Sequence, residues 1–238
     1  MEGAILNKLI IIGASGHGKV IADIAVKNGY EDIVFLDDDE SIRSCAGFSV
    51  IGKTAEALGM DGDKIVAIGN AKTRERIQKN QNGIVTLIHP EAVISRRVQI
   101  GSGSVVMAGV VINSDAVIGD GCIINTGASV DHDCRIGNYD HISVGAHVAG
   151  TCEIGDRVWI GAGATISNNV NICSDCMIGA GAVVVKNIKK PGIYFGVPAE
   201  EKMSKRELTG GGYCSTRIIT NIFHAEQMLS QQRNRRAA

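Results

Sequence analysis

Aromatic side chains are scarce in this chain of 238 residues: phenylalanine, tryptophan and tyrosine together make up 4% of it, whereas glycine occurs 30 times. Aromatic rings dominate the cores of many globular domains, so a different kind of packing is predicted here. The length is nevertheless sufficient for one large domain or two small ones with a sizeable core.

The chain also lacks an excess of either charge and a long apolar run. Its formal net charge is −1, so no basic surplus indicates nucleic-acid binding and no acidic surplus indicates disorder. The apolar run near the start, residues 9–12, is too short for a signal peptide or a membrane span. We therefore expect a cytoplasmic protein that binds no nucleic acid and does not insert into a membrane.

Cysteine is present seven times, but the pattern does not favour a metal site or disulfides. Only Cys173 and Cys176 form a C-x-x-C pair, and a zinc site would need a second pair of ligands. The length and the missing signal peptide also oppose a secreted disulfide framework. We predict structural thiols and no metal.

An apolar residue recurs at every sixth position over residues 94–184. Each member of this ladder is isoleucine or valine, and the positions are Ile94, Ile100, Val106, Ile112, Ile118, Ile124, Val130, Ile136, Ile142, Val148, Ile154, Ile160, Ile166, Ile172, Ile178 and Val184. A period of six predicts a short strand followed by a turn, with three strands closing one triangular coil of about 18 residues. The ladder therefore predicts an all-β left-handed parallel β-helix of hexapeptide repeats, about five coils long.

A second column, four residues after the first, consists almost entirely of small residues. Its cysteines are Cys122, Cys134, Cys152 and Cys176. The isoleucine or valine should fill the interior of each coil while the small residue occupies the tight inner corner, where cysteine behaves as a compact hydrophobe. The flat faces of such a solenoid favour symmetric self-association.

The residues before the ladder alternate between strand and helix patterns. Strands are predicted over residues 8–12, 33–36, 65–68 and 84–87, with helices ending near Lys27 and lying around 54–58 and 71–79. This alternation predicts a small α/β Rossmann-like domain with a parallel sheet. The predicted domains are 1–89 for sugar-nucleotide binding, 90–203 for the β-helix and 204–238 for a tail, with a possible short helix at 216–230.

A glycine-rich turn links the first strand to the first helix. Gly13, Gly18 and Lys19 match the start of a phosphate-binding loop, but Val20 replaces the serine or threonine that would bind magnesium. About ninety residues are also too few for a full dinucleotide-binding domain. Two interpretations stay open: a nucleotide half-site, in which the helix amino terminus binds phosphate and Asp37 binds a sugar hydroxyl, or a simple structural turn.

The order of the motifs resembles one protein family. The motifs IIIGASGHGKV, FLDDD, IGN at 68–70, LIHPEAVIS, the six-residue ladder and the closing FGVPA together resemble the bacterial sugar acetyltransferases of the PglD/NeuD type, over residues 8–203. The resemblance implies acetyl-CoA as co-substrate and a homotrimer. It also implies a nucleotide-linked amino sugar as acceptor, with a UDP-linked 4-amino sugar as the best match.

The resemblance also implies roles for particular residues. In the stretch NTGASVDHD, His132 would be the general base and Asp133 the acid that raises its basicity, with Asn125 in the same catalytic segment. The predicted acetyl-CoA contacts are His141, Gly150, Ala162 and Ala180. The predicted sugar-nucleotide contacts are Ser15, Gly16, His17, Asp37, Asp38 and Gly69.

The repeat adds a geometric argument for the same chemistry. His132 stands two places after the inward Val130, so it should project from the solenoid. Gly150 follows 18 residues later, one coil above, where its N–H could bind the thioester oxyanion. Direct attack by the amine in a ternary complex then needs no acyl-cysteine.

Other functions remain open at this point. A β-helix can be a non-catalytic trimeric scaffold, and a carbonic-anhydrase-like metalloenzyme could use His132, His141 and His147. Within the acetyltransferases, O-acetylation of sialic acid and N-acetylation of a GDP- or dTDP-linked amino sugar are alternatives.

Overall fold

The computed structural model describes residues 8–204, which form an amino-terminal α/β unit followed by a parallel β-helix. The predicted fold class is confirmed for both units. The possible tail helix at 216–230 lies outside the described residues.

The amino-terminal unit is built on a five-stranded sheet. Its elements are β1 (Lys8–Ile12), α1 (Gly16–Lys27), β2 (Asp32–Leu36), β3 (Ser44–Cys45), β4 (Phe48–Gly52), a 3₁₀-helix (Thr54–Gly59), β5 (Asp63–Val66) and α2 (Ala71–Gln78). The strand order is β3-β4-β2-β1-β5, and every pairing is parallel except that between β3 and β4. The apolar run KLIII agrees with the interior place of β1, between β2 and β5, because a strand covered on both faces carries a continuous apolar run.

One sequence prediction for this unit was wrong, and one feature was missed. The strand expected at 84–87 is absent: Ile84 makes only an isolated bridge to Lys64, and the next strand, β6 (Leu87–Ile88), pairs with the β-helix instead. The hairpin of β3 and β4 was not predicted, because its exposed residues lack the apolar run of a buried strand.

The β-helix consists of two-residue strands joined by four-residue turns. After β6 they are β7 (Val93–Ile94), β8 (Gln99–Ile100), β9 (Val105–Val106), β10 (Val111–Ile112), β11 (Val117–Ile118), β12 (Ile123–Ile124), β13 (Ser129–Val130), β14 (Arg135–Ile136), β15 (His141–Ile142), β16 (His147–Val148), β17 (Glu153–Ile154), β18 (Trp159–Ile160), β19 (Thr165–Ile166), β20 (Asn171–Ile172), β21 (Met177–Ile178) and β22 (Val183–Val184). The solenoid ends on β23 (Gly192–Phe195) and the antiparallel β24 (Glu200–Ser204).

Successive coils are stacked in register, one residue over the residue 18 positions later, as in the pairing of Ser129 with His147. The strands form three sheets, and the second residue of most strand pairs is buried in the interior. The first residue of each pair points outward. A side chain's position along the six-residue repeat therefore determines which corner or face of the prism it occupies.

The inner-corner cysteines have the structural role that the repeat predicts. All four are buried, and Cys122, Cys134 and Cys152 each direct Sγ to a backbone oxygen 15 residues later, at 3.0–3.1 Å. These contacts satisfy carbonyl groups of the next turn. Every cysteine in the described range is free of disulfides.

No helix between residues 8 and 204 is both long and apolar enough to cross a membrane.

Candidate active site

His132 and Asp133 form a pair on one corner of the β-helix, in the turn after β13. The Nδ1 atom of His132 lies 2.7 Å from Oδ2 of Asp133, and the histidine side chain is 53% exposed. Asp133 has a φ of 59°, a left-handed conformation that aspartate tolerates better than most residues. The hydrogen bond with Asp133 and the charge of Asp131 raise the pKa of His132. The predicted outward projection of His132 is confirmed.

Gly150 lies directly above this histidine. A Cβ placed on Gly150 would stand 2.7 Å from Nε2 and 2.8 Å from Cε1 of His132, so a side chain there would displace the ring from this position. The coils are joined here by Thr151 N–H donating to the carbonyl of His132 at 2.9 Å. The predicted stacking of Gly150 on His132 is therefore confirmed as a contact.

Asn125 and His141 form a second cluster, at a different corner. Asn125 Nδ2 lies 3.1 Å from His141 Nε2. The ring of His141 stacks on Trp159, one coil above, with ring centroids 5.5 Å apart, and Trp159 donates to Ser143 Oγ at 2.7 Å. Trp159 was not singled out from the sequence, although the same 18-residue step that located Gly150 places it over His141.

The predicted acetyl-CoA contacts are divided between these corners. Thr126 belongs to a column that continues upward through Val144 to Ala162 and Ala180, as shown by the turn hydrogen bonds from Gly145, Gly163 and Gly181. Ala162 and Ala180 thus stand above the Asn125 corner, whereas Gly150 stands above His132. The face carrying β10, β13, β16, β19 and β22 separates the two corners within one copy.

In the glycine-rich turn, Gly13 and Gly18 have no room for a side chain, whereas Gly16 faces open space. Gly13 has a φ of 113°, and a Cβ on Gly18 would collide with the Gly13 carbonyl and approach the Phe35 ring. A Cβ on Gly16, by contrast, would meet no atom within 4 Å. Gly69 is open in the same sense. The first hydrogen bond of α1 runs from Lys19 N to Ser15 O. The N–H groups before Lys19 at this helix end therefore have no partner within the helix and can bind an anion.

Both aspartates predicted to contact the sugar nucleotide also hold backbone turns. Asp37 Oδ2 accepts from Ala14 N at 2.6 Å, and its Oδ1 accepts from Asp39 N at 2.9 Å. Asp38 Oδ1 accepts from Thr54 N at 3.0 Å. Asp37 therefore ties the glycine-rich turn to the end of β2, and any bond to a ligand must use its remaining lone pairs.

His17 and His141 are kept neutral by their surroundings. Burial, together with the charge of Arg74, lowers the pKa of His17 to about 4 and that of His141 to about 3. Nε2 of His17 is buried and makes no hydrogen bond to the protein part that the structure describes. Each ring can therefore present a neutral donor or acceptor to a ligand at pH 7.

These two depressed pKa values predict acid sensitivity. Below pH about 6.5 these two histidines bind protons in the unfolded chain but stay unprotonated in the folded protein. The free energy of unfolding should consequently fall by up to about 1.4 kcal/mol per pH unit for each buried histidine as the pH drops from 6.5 towards 4. Urea titrations at pH 7 and pH 5 would measure this loss.

The variant His141→Gln should reduce that pH dependence, because glutamine keeps a polar partner for Asn125 but does not titrate. His147→Gln is the matched control, since His147 is an outward residue of β16 and its side chain hydrogen-bonds only Ser129 Oγ among the described residues. An equal change in both variants would contradict the assignment to His141.

The metalloenzyme alternative requires three metal ligands close together in space. Over 8–204 there is no group of three or more histidine, cysteine, aspartate or glutamate side chains able to hold a metal ion. His132 lies in the turn after β13, whereas His141 in β15 and His147 in β16 belong to two different sheets, and the three do not form such a group within one copy.

Comparison with known families agrees with the two-unit architecture. Residues 8–80 match the PglD N-terminal domain. Residues 92–114 match the hexapeptide repeat of succinyl-transferase, and residues 151–186 match the bacterial transferase hexapeptide, six repeats.

Two solved structures are similar over most of the chain. The acetyltransferase domain of PglB from Neisseria gonorrhoeae FA1090 is 42% identical, with a TM-score of 0.80 over 82% of this chain and 100% of that one; it is also known in complex with acetyl coenzyme A. PerB from Caulobacter crescentus, in complex with CoA and GDP-perosamine, is 36% identical, with a TM-score of 0.78 over 83% of this chain and 98% of that one.

A curated relative matches a shorter segment. UDP-N-acetylbacillosamine N-acetyltransferase of Bacillus subtilis (strain 168) is 32% identical over 113 residues, which is 43% of this chain. The match spans about half of that enzyme's length, 52%.

Proposed function

The chain belongs to the PglD-type bacterial sugar acetyltransferases, and from that premise we propose that it transfers an acetyl group from acetyl-CoA to the amine of a nucleotide-linked amino sugar. The observation that carries the proposal is the His132–Asp133 pair lying against Gly150 at the solenoid surface. Relatives crystallised with acetyl coenzyme A, and with CoA and GDP-perosamine, support the choice of both substrates.

His132 is proposed as the general base. Its Nδ1–H donates to Asp133, which leaves Nε2 as the acceptor atom. As the sugar amine attacks the thioester carbonyl, the C–N bond forms and Nε2 takes the amine proton. Collapse of the tetrahedral intermediate then breaks the C–S bond, and the proton held on Nε2 passes to the leaving sulfur, so that coenzyme A departs as the thiol and His132 is neutral again.

Gly150 is proposed to stabilise the oxyanion of that intermediate. Its N–H makes no hydrogen bond in the described part of the chain, and its missing side chain allows the His132 ring to lie over it. Negative charge develops on the thioester oxygen beside the base, where this N–H can donate a hydrogen bond to it.

The nucleotide sugar is proposed to bind at the amino terminus of α1. Ser15, Gly16 and His17 present amides and an open surface there, and Gly69 lies open on the neighbouring loop. Asp37 and Asp38 stand at the end of β2, where they can accept hydroxyl protons from the sugar or ribose while holding the turn.

The proposed acceptor is the 4-amino group of a UDP-linked deoxy sugar, with a GDP-linked amino sugar as the second candidate. The first is supported by the name of the Bacillus subtilis relative and the second by the ligand of PerB. A thiol-release assay with acetyl-CoA and UDP-, GDP-, dTDP- and CMP-linked amino sugars decides between them. Absence of thiol release with every amino-sugar nucleotide would favour a non-catalytic scaffold.

A homotrimer is proposed because one copy holds the predicted site in two parts. The face between the two corners presents the outward residues Val93 and Val111, which are 65% and 37% exposed, to a possible partner. Association through such faces could bring the Ala162–Ala180 column of one copy to His132 of the next. Coenzyme A would then bind between copies, with His141, Gly150, Ala162 and Ala180 as its contacts.

The hydrogen bond of Asp133 predicts a shift in the pH–rate profile. His132 acts as a base only when neutral, so activity rises with pH through its pKa, which Asp133 raises. In Asp133→Asn the acidic limb of kcat/KM should move to lower pH, and the plateau should fall about tenfold or more because the forming imidazolium loses its carboxylate partner.

Asp115→Asn is the matched control for this variant. Asp115 occupies the same corner one coil below, has a similar φ of 64° and pairs with Arg97 at the surface. An acidic limb that stays in place in Asp133→Asn, or moves equally in both variants, would contradict the role of Asp133.

A further inference from the structure

Arg74 is a buried cation whose guanidinium group is surrounded by backbone carbonyl groups. It lies in α2 of the amino-terminal unit and is 1% exposed. Within its own unit, Nη1 donates to the carbonyl oxygens of Ile68 and Gly69, both at 2.8 Å.

The other contacts of Arg74 reach into the β-helix. Nε donates to Gly121 O at 2.7 Å, and Nη2 donates to Tyr139 O at 2.7 Å and to Asp140 O at 3.4 Å. These five contacts engage the whole donor set of the guanidinium group. Carbonyl dipoles from both units thus compensate the loss of water around the buried charge.

The carbonyl groups that Arg74 contacts lie next to the predicted site. The turn at Gly121 leads into β12, which ends immediately before Asn125. Tyr139 and Asp140 directly precede His141. The carbonyl of Gly69 belongs to the loop predicted to touch the sugar nucleotide. One side chain therefore joins that loop to the turns before the two strands, β12 and β15, that lead to Asn125 and carry His141.

We propose that Arg74 is a positioning residue for acetyl transfer: it holds the sugar-nucleotide loop at Ile68–Gly69 in a fixed place relative to the coils that carry Asn125 and His141. The inference rests on the proposed function, because it concerns the alignment of the two substrates in that reaction. Arg74 is not expected to touch either substrate.

The geometry requires arginine rather than lysine at this position. A planar guanidinium group with five N–H donors can contact two loops from opposite directions, whereas a lysine ammonium is a single point with three donors. Arg74→Lys should therefore keep the charge but lose one side of the contact. A displacement of about 1 Å between reacting groups can lower the rate about 10²-fold.

The experiment compares Arg74→Lys and Arg74→Met with wild type in the thiol-release assay. We expect kcat to fall at least about tenfold in both variants, while KM for acetyl-CoA changes less than about threefold, because three of its four proposed contacts, Gly150, Ala162 and Ala180, lie at corners that Arg74 does not touch. Arg157→Met is the matched control, because the side chain of Arg157 also links the solenoid to α2, through Glu75, but contacts neither the 68–69 loop nor the turns before Asn125 and His141. Its backbone N–H donates to Asn138 O at 2.8 Å, a bond that the substitution leaves in place.

Hydrogen exchange gives a readout that does not depend on turnover. The amides of residues 68–70 and 139–141 should exchange faster than wild type in the Arg74 variants. Their exchange rates should be unchanged in Arg157→Met. If wild type fails to acetylate any nucleotide sugar, the proposed function fails, while this exchange comparison still tests the position of the loop.

The positioning role is overturned if both Arg74 variants retain kcat within threefold of wild type, or if Arg157→Met lowers kcat equally. It is also overturned if acetyl-CoA binding is lost together with kcat, because that result indicates general loss of structure. Should Arg74→Met not fold, Arg74→Lys alone decides, by the same comparison with Arg157→Met.

Discussion

Replacing His132 by alanine is expected to lower kcat by about 10²- to 10⁴-fold, the usual effect of removing a general base. The reason is geometric: Nε2 of His132 is the acceptor atom left free by the bond to Asp133, and it lies beside Gly150. The side chain is exposed and packs into no core, so its loss should leave the fold intact.

Steady-state kinetics with the preferred nucleotide sugar would test this expectation. The affinity for acetyl-CoA, measured by calorimetry, should stay within about threefold of wild type. The remaining activity should also lose the acidic limb assigned to His132. A kcat within threefold of wild type would refute the assignment of His132 as the base.

A second large effect is expected at the glycine-rich turn, where Gly16→Glu should abolish nucleotide-sugar binding. Gly16 is exposed and its Cβ would meet no protein atom within 4 Å, so the protein tolerates a side chain there. A glutamate at the helix amino terminus would occupy the proposed phosphate site and repel the phosphate charge. The affinity should fall at least about 100-fold, which is about 2.7 kcal/mol.

Calorimetry with the nucleotide sugar selected by the thiol-release assay measures this loss. Gly59→Glu is the matched control, because Gly59 is equally open and exposed but lies at the far end of the 3₁₀-helix. Unchanged binding by Gly16→Glu, or an equal loss in Gly59→Glu, would show that the turn is only structural.

The β-helix could be predicted from sequence because its information is local and repeated. Each Ile or Val of the ladder enters the interior of its own coil, and the 18-residue step follows from three equal sides. That step predicted the contact of Gly150 with His132, and the place of His132 two residues after the inward Val130 predicted its outward direction. The same step would have placed Trp159 over His141.

The arrangement between the two units could not be predicted in this way. Arg74 follows no periodic pattern, and its partners lie 5, 6, 47, 65 and 66 residues away along the chain. In sequence it is an ordinary charged residue of a helix. Its burial depends on the docking of α2 against turns of the solenoid, which no spacing indicates.

The position of Asn125 within the candidate site also could not be predicted from the sequence. Its distance of seven residues from His132 favoured one shared cluster, whereas the structure places it beside His141. In a triangular coil, seven residues lead past a whole face to the next corner. Proximity along the chain is therefore a poor guide to proximity across a solenoid.

The sequence by itself determined the solenoid, its inner-corner cysteines and the stacking of Gly150 on the exposed His132, because a strict period converts residue number into position. The tertiary structure alone decided that His141 stays neutral beside Asn125 and Trp159 and that Arg74 joins the two units. It also decided that the predicted site is divided between two corners. These features depend on burial and on contacts between distant segments, and such contacts exist only after the coils and the amino-terminal sheet have packed together.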